Sequence, residues 1–587
     1  MITKRPPFTP LWLLILGLLL LPGCGQLVYH IAGASLAEDS LPAATAVMTG
    51  SESAVTLPDP SPTPPPATPT PPPAATATPA PSPTPTATLP PPTFTNPPNP
   101  ELASLAAAHG VEFVPMQPQN TGLWQFAPGQ FSHPIDLLWL DQTAYLLDRG
   151  RLLAVALTQP TPPQILLQPG DLIPANETLL TPAMPVQEPL ALAQSNGRLW
   201  LLDRVGDVYG YAPDQGWWLD RYDRPIGTTS SHYFVALAAS EGNRYLFDTS
   251  YNYVFGYQAN GILRGWTLPP GRGVGLALRG EQVYVLSHHV DNQEGRLRLY
   301  LDGARLDRFS PTVTFARPRQ VVATDTAVYL LDQAGARLLA LHPDRGTLLA
   351  VYQPPAGVTA VAAAPDGRLL LAAPDRLYFY GQPDRLAHMT ELVGETAVSF
   401  TPESWLTERP LLLPVAGHAI NQRDLQMPGA PRHYRYGIHE GLDFYWALGT
   451  PVRAVAAGVV VRAMTDYPTP TPNAFDQWRN QSATLGYTSA EALDFYRGQQ
   501  VWLLHDDGLV ARYAHLSQIV PGITLGQRVE AGQTIGAIGN SGSPASVQSE
   551  TEDAHLHFEL WRDDVYLGQY LRPVEARELL QHLFGTP

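Results

Sequence analysis

A short apolar phrase ending in aspartate recurs along the middle of the chain. Its first copy reads Ala144-Tyr145-Leu146-Leu147-Asp148, and a polar turn such as Ser195-Asn196-Gly197 usually precedes it. A turn and a second apolar run follow, as in Arg337-Leu338-Leu339-Ala340-Leu341. Apolar runs bounded by turn residues predict paired β-strands. Full and looser copies of the phrase stand at 144–148, 199–203, 244–248, 283–286, 328–332 and 368–371.

The spacing of the copies, about 40 to 55 residues, is typical of β-propeller blades. One blade cannot cover its own apolar faces, so blades pack in a ring. The six copies predict a six-bladed propeller over residues 101–385, with a general rhythm that resembles the NHL/WD-like group. A seven-bladed ring completed by residues 110–135 is the close alternative. The recurring aspartate is expected to be a strand-end turn residue, and the region to bind cell wall or protein, or to act as a spacer.

The N-terminus has the pattern of an export signal. A basic start (Lys4-Arg5) precedes an apolar run at 11–21, about half the roughly 20 residues that a membrane-spanning helix needs. The end of the predicted signal, residues 1–24, resembles the lipobox of bacterial lipoproteins, which implies lipidation of Cys24. An uncleaved anchor and cleavage after Ala37 are the alternatives. Each of them places the remainder outside the cytoplasm, and the lipobox implies a membrane-anchored protein of the cell surface or envelope.

Residues 25–100 are predicted to be a disordered stalk. From about position 58 they consist mainly of proline, threonine, alanine and serine, a composition that cannot bury a core. Proline favours the extended polyproline II conformation, in which about 43 residues reach roughly 130 Å. Such a stalk would hold folded domains away from a membrane. A proline-rich ligand for a partner domain is the alternative.

The composition excludes several functions. The formal net charge of −16 attracts neither nucleic acid nor anionic lipid. A single cysteine excludes an internal disulfide framework, a cysteine-rich zinc module and an iron–sulfur cluster. The one lysine, Lys4, stands in the export signal. The body of the chain therefore has no Walker-type phosphate lysine and no Schiff-base lysine.

Histidines and a carboxylate in the last third of the chain suggest a metal site. His555 and His557 stand two apart among strand-forming residues, so both point to one face of a strand. His439 and Asp443 offer a nitrogen and an oxygen from one short segment. Two histidines and a carboxylate with an open fourth position form a catalytic zinc arrangement. A zinc ion held in this way brings the pKa of its water near 7 and polarises a carbonyl, and a further histidine can move protons.

A further histidine, His515, stands in Arg512-Tyr513-Ala514-His515. Together these motifs resemble the lysostaphin-type, LytM-like zinc metallopeptidases, which cut peptide bonds in bacterial cell walls. The resemblance implies that His439, Asp443 and His557 bind Zn²⁺ and that His515 and His555 are the catalytic pair. It also implies a compact antiparallel β domain of the duplicated hybrid motif type, assigned to residues 386–587. The chain as a whole is therefore predicted to be mainly β.

Two insertions depart from the family pattern. One spans roughly 465–499 and the other, polar and acidic, spans 546–553. Both are expected to form loops that wall the groove, since loops commonly set specificity. Asn540, just before the second insertion, is expected to face the groove.

Other residues near the motifs have simpler interpretations. His505 is expected to be structural and His433 to lie in an exposed loop. Gly539-Asn540-Ser541-Gly542 faintly resembles a serine-protease turn, but no histidine and aspartate motif accompanies it.

The sequence therefore predicts a cell-wall zinc metalloendopeptidase acting on peptidoglycan cross-links or stem peptides, anchored at the membrane by its N-terminus. The first alternative is a non-enzymatic LytM-like scaffold or activator of other wall hydrolases, although such members typically lose zinc residues. The second is a binding or sensing lipoprotein whose main role lies in the propeller.

Overall fold

The computed structural model describes residues 94–381 and 410–585, with short gaps at 160, 177, 180, 223–231, 259–260, 291–293 and 334–335. The predicted export signal, Cys24 and nearly all of the predicted stalk lie outside the described residues. None of the described helices is long and apolar enough to cross a membrane.

The described chain begins with a helix and two strands. Asn99 caps the helix, because its side chain accepts a hydrogen bond from the backbone N–H of Glu101, and Gly110 ends it in the left-handed conformation. The elements are α1 (Pro100–His109), β1 (Glu112–Pro115) and β2 (Thr121–Gln125).

The residues before α1 pack against the folded region. Asn96 is buried, and its amide donates to the backbone oxygens of Met116 and Gln353 at 2.9 and 3.1 Å. The ring of Phe94 meets Tyr378 edge-on at 5.2 Å. Residues 94–99, which composition assigned to the stalk, therefore belong to the folded part.

Six β-sheets follow one another along the described chain, with a small two-stranded sheet after the first; five of the six are four-stranded and antiparallel, and the fifth has a fifth strand. The first three sheets and the small one consist of β3 (Pro134–Leu140), β4 (Thr143–Asp148), β5 (Arg151–Ala156), β6 (Gln164–Leu167), β7 (Leu172–Ile173), β8 (Met184–Pro185), β9 (Pro189–Ser195), β10 (Arg198–Asp203), β11 (Val208–Ala212), β12 (Gly216–Arg221), β13 (Phe234–Ala239), β14 (Asn243–Asp248), β15 (Tyr253–Gln258) and β16 (Gly261–Thr267).

The last three sheets draw in the N-terminal strands. Strand β1 joins the fifth sheet parallel to its last strand, and β2 completes the sixth. Residues 110–135 therefore form no seventh sheet among the described residues. The remaining strands are β17 (Arg272–Arg279), β18 (Gln282–His288), β19 (Gly295–Leu301), β20 (Ala304–Arg305), β21 (Pro318–Ala323), β22 (Val328–Asp332), β23 (Arg337–Leu341), β24 (Leu348–Gln353), β25 (Ala360–Ala363), β26 (Leu369–Ala373) and β27 (Arg376–Tyr380).

The recurring apolar phrase forms the second strand of each sheet. Neighbouring sheets contact each other through their first strands, and the first strand of the sixth sheet contacts that of the first. A second strand is covered on both sides by adjacent sheets, which is why its residues are apolar without alternation. In β10, Leu199 to Asp203 are all buried. The preceding turn is built from Asn196 and Gly197, both with positive φ, as a two-residue hairpin requires.

The aspartate at the end of the phrase is buried and bonds to backbone. Asp148 accepts from the N–H groups of Ser132 and His133 at 2.9 and 2.6 Å. Asp332 repeats the arrangement with Arg317 in the fifth sheet. The aspartate therefore fixes the loop that enters its sheet, as expected of a strand-end residue.

The C-terminal region contains a seven-stranded antiparallel sheet and a three-stranded one. Its apolar core lies between these sheets and the last helix. The elements are β28 (Pro431–Arg432), β29 (Gly437–Ile438), β30 (Leu442–Tyr445), β31 (Pro451–Arg453), β32 (Gly458–Met464), α2 (Pro472–Leu485), α3 (Ala490–Arg497), β33 (Gln500–His505), β34 (Val510–Ala514), β35 (Leu516–Ile519), β36 (Arg528–Val529), β37 (Thr534–Ile538), β38 (His555–Arg562), β39 (Val565–Tyr566) and α4 (Pro573–Leu583), with 3-10 turns at Asp424–Gln426, His433–Arg435 and Pro544–Val547.

The first insertion is helical. The segment expected to be a loop at 465–499 forms α2 and α3. Thr471 and Ser489 cap the two helices through their side chains, and Gly486 ends the first with positive φ. These capping residues were readable in the sequence, so the expectation of a loop was wrong.

A buried charged pair joins the C-terminal region to the sheets. Glu188 directly precedes β9 and Arg204 directly follows β10; both are about 1% exposed and pair with each other. Arg204 also donates to the backbone oxygen of Leu571. Glu188 in turn accepts from the Tyr566 hydroxyl at 2.9 Å and from the Tyr570 backbone at 3.0 Å. Each buried charge therefore has partners from both regions, as burial demands.

Helix α4 packs on the sheets as well. Val574 joins an apolar cluster of the fourth and fifth sheets, and Glu575 and Glu578 pair with Arg319. His433 is also part of this contact, since it is buried and its Nε2 lies 3.0 Å from the backbone oxygen of Val205. The expectation that His433 is exposed was wrong, because the sheets cover it.

Candidate metal centre

Two antiparallel strands bring the predicted metal ligands together. In the pairing of β30 with β38, Asp443 lies directly opposite His557. His439 stands four residues before Asp443, and its backbone N–H is fixed by the Ala430 oxygen at 2.8 Å. All three side chains are buried, and among the described residues they form the group that could hold a metal ion.

The three side chains meet through one atom each. His439 Nε2 lies 2.9 Å from Asp443 Oδ1 and 2.9 Å from His557 Nδ1. The distance between His557 Nδ1 and Asp443 Oδ1 is 3.0 Å. Two imidazole nitrogens and a carboxylate oxygen converging on one point fit a Zn²⁺ site with an open position.

The remaining atoms of these side chains are held by outer partners. His439 Nδ1 lies 2.9 Å from the backbone oxygen of Met427, which can only accept, so Nδ1 carries the proton and Nε2 is free to bind a metal. His557 Nε2 lies 3.0 Å from Glu559 Oε1, and Arg432 donates to Asp443 Oδ2 at 3.0 Å. These partners orient the three ligand atoms.

Glu559 is the central outer partner, and sequence reasoning assigned it no role. It accepts from Arg497 at 2.6 and 3.1 Å and from Trp561 Nε1 at 2.6 Å. The strand alternation that linked His555 to His557 also places Glu559 on the same face. That signal could have identified it.

Burial and neighbouring charges set the protonation of the group. Burial, together with the Arg432 charge, lowers the pKa of His439 to about 4. Burial alone would raise the pKa of Asp443, but His439 and His555 hold it well below the ordinary value. Both groups therefore have the protonation state that metal binding needs at neutral pH.

The two predicted catalytic histidines lie beside this group. The imidazole centroids of His515 and His555 are 4.7 Å apart, and His515 lies 5.6 Å from His557. His555 stacks on Tyr445 at 4.6 Å, and its Nε2 is 3.8 Å from Asp443 Oδ1. The structure therefore brings all five predicted site residues together.

Both imidazoles are anchored by Nδ1. His515 Nδ1 lies 2.7 Å from the Ser541 backbone oxygen, and His555 Nδ1 lies 2.6 Å from that of Asp553. Each carbonyl fixes the proton on Nδ1 and leaves Nε2 as a proton acceptor. Burial lowers the pKa of His515 well below its ordinary value, so this imidazole is neutral at pH 7.

Gly441 permits the close packing of the ligand strands. A Cβ at this position would lie 2.4 Å from the Phe558 backbone oxygen and 2.8 Å from His557 Cε1. No larger residue fits there without moving a ligand.

The site opens into a cleft with a volume of about 1150 Å³. Both insertions line it, through Tyr496 and Arg497 on α3 and through Glu552 and Asp553 before β38. The placement of the insertions along the groove is as expected. Residues of the third and fourth sheets line the cleft too, at 249–252, 270–272 and 290.

The other singled-out residues lie elsewhere. Asn540 is buried and donates to the backbone oxygens of Ser549 and Glu552 at 2.7 and 2.8 Å. It therefore holds the second insertion in place and does not line the cleft, contrary to expectation. His505 Nδ1 bonds to the Ala457 oxygen at 2.9 Å, a structural role. The Ser541 hydroxyl donates to the Leu516 oxygen, which leaves no support for a serine nucleophile.

Comparison with known proteins identifies the C-terminal region. Residues 481–569 match the model of the family described as Peptidase family M23. The chain carries an M23 peptidase domain. The matched residues of this domain include His515, His555 and His557, whereas His439 and Asp443 precede them.

The chain is similar to several named proteins, among them two that are named as endopeptidases. The chain is 31% identical over 124 residues to "Lysostaphin" of Staphylococcus staphylolyticus, covering 21% of this chain and 18% of the relative. It is 33% identical over 126 residues to "Peptidoglycan DD-endopeptidase ShyA" of Vibrio cholerae (22% and 21%) and 30% identical over 127 residues to "L-Ala--D-Glu endopeptidase" of Bacillus subtilis (22% and 30%). The chain thus spans less than a third of the length of each of these relatives.

Among solved structures, one described as "Streptogramin B lyase structure" is similar to this chain. It is 11% identical with a TM-score of 0.30, and the match covers 44% of this chain and 97% of that one.

Proposed function

We propose that this protein is a zinc metalloendopeptidase that hydrolyses peptide bonds in peptidoglycan cross-links or stem peptides. One observation carries the proposal. The buried His439, Asp443 and His557 meet at one point beside His515 and His555, at the base of a cleft in an M23 domain.

The residues present fit a zinc ion. His439 Nε2, Asp443 Oδ1 and His557 Nδ1 would hold it, with Met427, Glu559 and Arg432 fixing their orientation. A zinc ion at this position supplies Lewis acidity toward a peptide carbonyl and toward water.

The protein's own groups manage the proton and the developing charge. His515 and His555 each keep the proton on Nδ1 and offer Nε2 to the reacting atoms. One imidazole accepts the proton of the attacking water and later delivers it to the departing amine. The other stabilises the negative charge that develops on the carbonyl oxygen.

The relatives support the substrate class, while the cleft decides the bond. One relative is named for DD-endopeptidase activity and another for L-Ala–D-Glu cleavage, so related domains cut different bonds. In this chain α3, the second insertion and the third and fourth sheets line the cleft. The bond cleaved is therefore set by these walls.

The architecture proposed around the domain follows the sequence. We propose that the six sheets form a closed six-bladed propeller, supported by the contact between the first strands of the sixth and first sheets. We also propose export, with lipidation at Cys24 and a proline-rich stalk that gives the folded part reach from the membrane. The lipobox-like end and the composition of residues 25–93 support this.

The test uses the full chain, because the M23 domain shares buried charged pairs with the sheets. The protein is incubated with purified peptidoglycan, with and without a chelator, and the released fragments are identified by mass spectrometry. We expect new peptide termini that a chelator abolishes and added zinc restores. His515→Ala should lose activity, while His109→Ala, a matched change on the exposed end of α1, should not. A zinc-loaded protein that releases no fragments but activates another wall hydrolase would refute the proposal.

A further inference from the structure

The cleft has a wall that the M23 domain does not supply. We call it the sheet wall: residues 249–252, 270–272 and Val290, in loops of the third and fourth sheets and at the start of β17. The same cavity reaches the metal ligands. A peptide extending from the metal centre along this cavity therefore meets groups from outside the M23 domain.

Hydrogen bonds fix the sheet wall to the segment that precedes the metal ligands. The Thr249 hydroxyl donates to Asp424 at 2.6 Å, and Arg272 donates to Gln422. At the other end of this segment, the Asn421 amide lies 3.5 Å from the backbone oxygen of Asp443. Residues 421–424 thus connect the sheet wall with the metal centre.

Arg423 stands in the middle of this connecting segment, lines the cleft and is exposed. The other arginines that line the cleft have partners. Arg432 donates to Asp443, Arg435 to Glu440, Arg497 to Glu559 and Arg272 to Gln422. No described residue bonds to the guanidinium of Arg423.

The cleft also has acidic side chains in the second insertion. Glu552 and Asp553 line it in the second insertion, directly before His555. Tyr251, about half exposed, offers an aromatic ring on the sheet wall. The exposed Arg423 therefore favours negative charge on the part of a peptide that lies over the connecting segment.

We propose that Arg423 binds a free carboxylate of the peptide substrate and so makes the enzyme selective for carboxylate-bearing stem peptides over neutral bridges. The guanidinium fork matches a carboxylate in bidentate geometry. This inference rests on the proposed peptidase function and names its substrate class.

The test compares two synthetic peptides. One is a cross-linked dimer of peptidoglycan stem peptides with free carboxylates, and the other is the same dimer with these groups converted to carboxamides. We measure kcat and KM with the full-length wild type, with Arg423→Gln and with Arg308→Gln. Arg308 is an exposed arginine outside the cleft, so its variant controls for net charge.

Arg423→Gln should raise KM about tenfold for the carboxylate peptide, the worth of a charge-assisted hydrogen bond, with kcat changed less than about twofold. For the carboxamide peptide, the wild type itself should have the raised KM, and Arg423→Gln should not change that KM further. Equal KM values of wild type and Arg423→Gln on the carboxylate peptide would overturn the proposal.

Calorimetric binding of both peptides separates this proposal from the peptidase function. Suppose that the wild type binds the carboxylate peptide selectively, that Arg423→Gln loses this selectivity, and that the zinc-loaded wild type shows no turnover. This result would support the arginine site and refute the peptidase function. If the wild type turns over the peptides but binds the carboxylate and carboxamide peptides equally, and Arg423→Gln binds them as the wild type does, the arginine site alone is refuted.

Discussion

Comparison of Glu559→Gln with Glu188→Gln should separate an effect on zinc affinity from an effect on folding stability. Glu559 is about 1% exposed. It accepts from His557 Nε2 at 3.0 Å, from Arg497 at 2.6 and 3.1 Å and from Arg512 at 3.3 Å. Glutamine keeps the shape, removes the charge and exchanges one acceptor for a donor.

Two losses follow from these contacts. Arg497, itself buried, would lose the counter-charge it pairs with, and breaking a buried pair costs about 3–5 kcal/mol of folding free energy. His557 would lose the carboxylate that orients its ring, and such a change weakens metal binding about 10- to 100-fold, or about 1.4–2.7 kcal/mol. The same substitution therefore lowers the free energy of unfolding and the zinc affinity.

A matched control comes from the other buried pair. Glu188→Gln removes the counter-charge of Arg204 but lies outside the cleft. It should cost a similar folding free energy, about 3–5 kcal/mol, and leave zinc affinity unchanged. The assays are denaturant unfolding and competition for zinc with a chromophoric chelator, both on the full chain. Zinc binding by Glu559→Gln as tight as in the wild type would refute the argument that Glu559 positions His557.

Three further outcomes are expected. His515→Ala should keep its zinc content but lose about 10²- to 10⁴-fold in kcat on peptidoglycan fragments, and loss of zinc instead would assign this residue to the ligand set. Gly441→Ala, whose Cβ would press on Phe558 and His557, should destabilise the chain by about 1–3 kcal/mol and weaken zinc binding, so wild-type values for both would contradict the packing argument. Burial lowers the pKa of His288 to about 4; the unfolded chain therefore binds the extra proton between about pH 4 and 6.5, and the free energy of unfolding should fall on acidification through this range. His288→Gln should flatten that slope by up to about 1.4 kcal/mol per pH unit, and an unchanged slope in denaturant titrations would exclude His288 as its source.

Local pattern was sufficient for much of the fold. The apolar phrase identified the second strand of each of the six sheets, because a strand covered on both sides needs an apolar run that a sequence displays directly. The terminal Asp148 and its counterparts were correctly expected at strand ends. The same reasoning missed α2 and α3, although their caps at Thr471 and Ser489 were local signals.

The sequence predicted the five residues of the candidate site but not the outer residues that hold them in place. The two-residue spacing of His555 and His557 and the segment from His439 to Asp443 indicated one site, and the structure places them together. The role of Glu559 followed from the same alternation but was overlooked. Its partner Arg497 lies 62 positions away, a distance over which periodicity carries no information.

The sequence by itself determined which segments are strands, which side chains share a face and which residue types offer metal ligands. These properties depend on neighbours within a few positions, where backbone geometry is fixed. Only the tertiary structure decided that the sheets bury His433 and share Glu188 with the M23 domain, and that residues 249–252 and 270–272 complete its cleft. Contacts between segments far apart in sequence depend on shape and charge complementarity across the whole fold. The sheet wall of the cleft therefore could not be read from local sequence patterns.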